Sequence, residues 1–174
     1  MEKIKVTLHG QATQEYDKGI KLLDLAAMFP NSNPRFQTLG AMVNNEVHCL
    51  QGTLENDSTV EFLTYKNREG QEIYRRSLSA ILTCAIFELY RNSRMTIGHS
   101  LGNGYYYSLN TDVPVSDEII TEISNKMNEI VQKDIPFEKE TVSKEEAEAL
   151  FKRQGYPDKV RLIKYMPYNE VTIY

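Results

Sequence analysis

An α+β fold in two parts is what this sequence predicts, and three observations predict it. The first 65 residues run strand, strand, helix, then further strands. A wholly polar or glycine stretch, KNREGQ at 66–71, then breaks the pattern. After it comes a long apolar-striped helix, a hairpin pattern and two shorter helices. Segregated strands and helices of this kind describe helices packed on one face of a largely antiparallel sheet.

Each element has its own signal. In IKVTLH (4–9), Ile4, Val6 and Leu8 alternate with polar residues, the period of a half-buried strand. Gly10 punctuates, and GQATQEY reads as a more polar partner strand. Ile20, Leu22, Leu23, Leu25, Ala26 and Met28 recur at helical spacing until Pro30 ends the run, and a loop follows at 31–34. Asn44-Asn45 sits between two short apolar runs, and Asn tolerates the positive φ of a tight hairpin turn. Asn56-Asp57 makes a turn before a strand whose one face carries Val60, Phe62 and Thr64. Residues 1–65 therefore predict a β-grasp domain, with 66–74 as a linker and 75–174 as a second domain. There, Ile73, Leu78, Ile81, Leu82, Ala85, Ile86 and Leu89 stripe a long helix from Glu72 onward. RMTIGHSLGNGYYYSL predicts two strands joined across Gly102-Asn103-Gly104. Ser116 is an N-cap for a helix faced by Ile119, Ile123, Met127 and Ile130. FEKETV predicts a strand. Ser143 and Glu146 form a capping box for a helix that stops near Gly155 and Pro157. NEVTIY reads as a strand just begun, which suggests a fragment of a longer polypeptide.

Composition narrows the function. The net charge of -4 disfavours a whole-surface nucleic-acid binder, though not a local basic patch. Cys49 and Cys84 lie in apolar runs outside any metal-ligand spacing, so buried free thiols are expected. His9, His48 and His99 include no i, i+4 pair, and no metal site is expected. No apolar run reaches the roughly 18–20 residues of a membrane span, and no secretory segment is evident. The expectation is a cytoplasmic protein with no membrane partner. Gly98, Gly102 and Gly104 lack the Lys of a phosphate-binding loop and read as a turn.

Two stretches resemble a known family. Residues 4–74, with the V-N-x-E run at Val43–Glu46, the turn at Glu55–Asp57 and the E-G-x-E-I run at Glu69–Ile73, resemble the TGS domain of threonyl-tRNA synthetases. Residues 75–166 resemble the second additional domain that follows it and proofreads mischarged tRNA. Here the matching words are Met95–Gly98, Asn103–Tyr107, Val142-Ser143 with Glu146-Ala147, and Lys159-Val160. The family's proofreading helix carries an H-x-x-x-H pair, and the resemblance puts Arg76 and Ala80 in those places. Arg stays protonated and Ala cannot titrate, so no hydrolysis is expected. The same domain pair occurs ahead of a P-loop domain in uridine kinase-like proteins. The lost pair and His99 after Gly98 favour that parent.

The resemblance thus implies a non-catalytic, ligand-sensing module acting in cis with a downstream nucleoside kinase. It needs no cofactor in this chain, because ATP and Mg would belong to the kinase. The alternative is the tRNA-binding region of a synthetase with an inactivated editing site. A ligand cleft is expected at Arg76, Ala80, His99, Asn103 and Tyr106, for a nucleotide or tRNA. Phosphate contacts are expected at Arg75, Lys152, Arg153, Lys159 and Arg161. Packing is the plain alternative for Tyr106, a hydrogen-bonded surface histidine for His99, and a solvated helix face for the C-terminal cations.

Overall fold

A computed structural model describes residues 2–31, 33, 36–102 and 104–174. The architecture is α+β, with five helices and a mixed sheet among the described residues. Contacts divide the chain into two compact units, Met1–Glu129 and Ile130–Tyr174.

In the first unit, β1 (Lys3–Leu8), β2 (Thr13–Asp17), β4 (Gly40–Val43), β5 (Glu46–His48) and β7 (Ser58–Leu63) form one sheet, ordered β2-β1-β7-β4-β5. Only the central β1–β7 pair is parallel; the other neighbours run antiparallel. β3 (Ile20–Lys21) pairs with β6 (Thr53–Leu54) beside it. Strand alternation sends Ile4, Val6, Leu8, Ala41, Val43 and Val60 to one face, where they bury Leu22 and Leu25 of α1 (Leu22–Met28). Full burial of each such Leu is worth about 1.5–3 kcal/mol. Leu23 and Met28, predicted on the same apolar stripe, are exposed, because a seven-residue helix has room for only one buried row. The Asn44-Asn45 turn is as expected, with φ of 48° and 68°. Of the predicted loop at 31–34, Ser32 and Pro34 lie outside the described residues.

The polar segment expected as a linker is ordered by its own side chains. The Asn67 carboxamide oxygen accepts from the Thr64 backbone N–H at 2.9 Å, and Asn67 Nδ2 donates to Glu61 at 3.3 Å. The helix α2 (Arg68–Leu89) then opens four residues before the expected Glu72. Gly70 is buried against Thr64: a Cβ built there would sit 1.9 Å from the Thr64 carbonyl oxygen. Ile73 lies on Gly40, the cross-strand partner of Leu63, so α2 begins on the second face of the sheet.

Further along α2, β8 (Arg94–Leu101) and β9 (Gly104–Asn110) make the predicted antiparallel hairpin. The register shifts between Ile97 and Ser100, so Gly98 and His99 together oppose Tyr106 as a bulge. α3 (Asp117–Gln132) starts where Ser116 Oγ accepts from the Ile119 N–H, and Ile123 is buried as predicted. Lys126 joins α3 to Glu88 of α2 at 3.1 Å, and the Tyr90 hydroxyl donates to Glu122.

In the second unit, β10 (Glu140–Ser143) pairs antiparallel with β11 (Glu170–Ile173), so the strand signals in FEKETV and NEVTIY belong to one ribbon. The capping box of α4 (Lys144–Arg153) is complete. α5 (Pro157–Tyr165) has no counterpart in the sequence reading, which took Pro157 only as a stop. Proline at the first helical position is compatible with a start, since that N–H has no helical partner. Ala147 of α4 and Val160 and Ile163 of α5 are buried, and Lys144 Nζ donates to the carbonyl of Met166 at 2.7 Å at the end of α5.

Both cysteines are free, but both are exposed, contrary to the burial expected from their apolar neighbours. Cys49 follows the short edge strand β5, and Cys84 lies on α2 turned away from the row that buries Ser79 and Ile86. No helix among the described residues is long and apolar enough to cross a membrane.

Candidate functional site

Polar and aromatic groups converge where the middle of α2 meets the hairpin β8–β9. Alternation along β9 puts Tyr105 and Tyr107 on one side and Tyr106 on the other. The first pair meets α2. Ser79 Oγ lies 2.7 Å from the Tyr107 hydroxyl and 2.8 Å from the Arg75 carbonyl. A serine hydroxyl has one hydrogen; given to the carbonyl, it leaves Tyr107 as the donor to Ser79. The Arg75 guanidinium lies 5.5 Å from the centre of the Tyr105 ring, a cation–π geometry. The Ser79–Tyr107 hydrogen bond and the Arg75–Tyr105 contact thus join helix and hairpin.

On the outer side of the hairpin, the His99 and Tyr106 rings stack at 5.5 Å with 15° between planes. The bulge turns His99 to this position. Gly98 makes room, since a Cβ there would meet the Tyr106 ring and its carbonyl at 3.1 Å. Both residues are exposed, Tyr106 by 53%.

Arg76 and Ala80 occupy one face of α2, a turn apart, and both are exposed. Arg76 Nη2 lies 4.0 Å from Glu72. This face is distinct from the Arg75–Ser79 row that meets the hairpin. Of the residues expected to line one cleft, the structure therefore joins His99 to Tyr106 and Arg76 to Ala80, on separate surfaces. Asn103 lies outside the described residues.

Of the expected phosphate contacts, Arg75 belongs to the first unit and the other four to the second. There, Lys152 pairs with Glu148 at 3.5 Å, one helical turn away. Lys159 Nζ lies over the rings of Phe151 and Tyr156, at 5.0 and 4.9 Å. Arg153 and Arg161 are exposed. No group of three or more His, Cys, Asp or Glu side chains able to hold a metal occurs among the described residues.

Two features escaped the sequence reading. The Ser79–Tyr107 contact was foreshadowed by strand alternation, which must turn Tyr107 away from Tyr106. A depression of about 310 Å³ on the first sheet is lined by His9, Met42, Asn44, Asn45, Thr59 and Glu61. No local motif marks it, because its residues come from three separate stretches of chain.

No protein-family model matches this sequence. Curated proteins do. This chain is similar to threonine–tRNA ligases. The ligase of Clostridium kluyveri is 34% identical over 168 residues, 97% of this chain and 26% of the ligase. That of Acetivibrio thermocellus is 34% identical over 167 residues, 96% of this chain and 26% of its own length. That of Thermotoga maritima is 34% identical over 175 positions, again 26% of the relative. The chain spans about a quarter of the length of the curated relatives it matches.

Proposed function

We propose that this chain is the tRNA-contacting, non-hydrolytic N-terminal part of a threonine–tRNA ligase-like protein. In this reading, residues 1–65 are a TGS-type β-grasp domain. The residues after it form a domain built like the proofreading domain and inactive in editing. One observation carries it: the similarity to threonine–tRNA ligases extends over 97% of the chain at 34% identity. The strand order, with a parallel central pair and one helix on the core face, supports the β-grasp assignment.

The chemistry of α2 supports the loss of editing. Ester hydrolysis at neutral pH asks for a group that can accept a proton from water. An arginine such as Arg76, which lies beside Glu72, cannot take up a proton, and Ala80 has nothing to offer. Binding needs no such group. A nucleoside-kinase parent, expected from the replaced pair, has less support, since the similar proteins are ligases.

Two measurements test the reading. Unmodified tRNA should shift with the chain in a gel or in anisotropy at low ionic strength, and binding should weaken as salt rises, because phosphate contacts release counterions. Incubation with threonyl- or seryl-tRNA should give no deacylation above background. Absence of tRNA binding even at low ionic strength removes the ligase reading, and deacylation above background removes the inert-site claim.

A further inference from the structure

We propose that the outer face of the β8–β9 hairpin is a stacking platform for unpaired RNA bases, with Tyr106 and His99 as its rings. The proposal rests on the tRNA reading above and names the part of the RNA that this surface would take.

Three independent features point to it. The first is geometric. Two aromatic rings lie parallel and exposed on a strand face, and the bulge at Gly98-His99 exists at the one place that brings His99 over the ring opposite. Gly98 is the residue that permits it, because a side chain would displace the Tyr106 ring. The second is separation from the core. Tyr105 and Tyr107 already serve packing through Arg75 and Ser79, so Tyr106 is not needed to hold the hairpin on α2. The third is charge. From Leu89 to Thr111 the sequence holds no Asp or Glu, but includes Arg91, Arg94 and His99, in a chain whose net charge is -4. An acid-free hairpin with exposed rings offers stacking to bases and no repulsion to the phosphates between them. That combination is how sequence-tolerant single-strand binders work. The hydroxyls of Thr96 and Ser108, directly paired across the strands, share this face and offer hydrogen bonds to sugar or base edges.

The test uses the full chain and a fluorescein-labelled, unstructured oligoribonucleotide, with an abasic strand of equal length as comparison. Anisotropy is read at low ionic strength. The base-bearing strand should bind about tenfold or more tightly than the abasic one, the loss of stacking per base being of that order. Tyr106→Ala should lose about tenfold in affinity for the base-bearing strand and little for the abasic one, whereas Tyr106→Phe should keep the unmodified affinity. His99→Ala provides a second variant that leaves the tyrosine row intact and should also weaken base-dependent binding. Equal affinity for the two strands on the unmodified chain overturns the proposal without reference to any variant. So does a folded Tyr106→Ala chain that binds as before. If intact tRNA binds while base dependence is absent, the platform falls and the tRNA reading stands. If tRNA also fails to bind, both fall.

Discussion

Gly70 sets a constraint that no other residue can meet. A Cβ at this position would lie 1.9 Å from one backbone atom of Thr64 and 2.6 Å from another, and backbone cannot turn aside as a side chain can. Gly70→Ala should therefore destabilise by about 3 kcal/mol, lowering Tm by roughly 6–12 °C in thermal unfolding. An unchanged Tm would mean that the Thr64 turn yields more easily than its hydrogen bonds suggest. Ser143 and Glu146 illustrate a different dependence. Hydrogen bonds from the Ser143 hydroxyl and backbone N–H hold the Glu146 carboxyl below its ordinary value of 4.5. A carboxyl depressed in the folded state stabilises above its unfolded value and stops doing so as pH falls through the folded one. Protection factors of the amides at the start of α4, corrected for intrinsic exchange, should accordingly fall on acidification below about pH 4.5, and Glu146→Gln should flatten that response. The capping box was legible because both partners are three residues apart. The exposure of Cys49 and Cys84 was not, because an apolar neighbourhood in sequence says nothing about which side of an element a residue faces.

Helix α2 does two jobs along its length. Its first turns lie on the sheet through Gly70 and Ile73, and its middle lies on the hairpin through Arg75 and Ser79. Periodicity revealed the apolar stripe but not the start, which depends on Asn67 folding its side chain back onto Thr64. Loss of one buried hydrogen bond to a hydroxyl typically costs about 0.5–1.5 kcal/mol. Tyr107→Phe should fall in that range by chemical denaturation, with Ser79 keeping its bond to the Arg75 carbonyl. A cost several times larger would show that Tyr107 orders more than this one contact. α5 went unseen because Pro157 carries two opposite meanings, a stop for the helix before it and a start for the one after. The expected cleft gathered Arg76, Ala80, His99, Asn103 and Tyr106 from the resemblance, and the bulge that turns His99 towards Tyr106 has no signal in residue spacing.

For the molecule as a whole, strand alternation and turn residues carried most of the first sheet. The parallel β1–β7 pairing, between residues more than fifty positions apart, has no local signature. The division at 129/130 has none either, since it falls inside a continuous helix. The contact that locks Gly70 under Thr64 has a practical corollary for anyone dissecting the protein. A piece ending at Tyr65 would retain every strand of the first sheet yet leave Gly40, opposite Leu63, bare where Ile73 had covered it. Such a piece should melt earlier and self-associate in sedimentation, whereas one extended to Leu89 should stay monodisperse. The hydrophilic run that looks like a place to cut is a place where the scissors would open a wound.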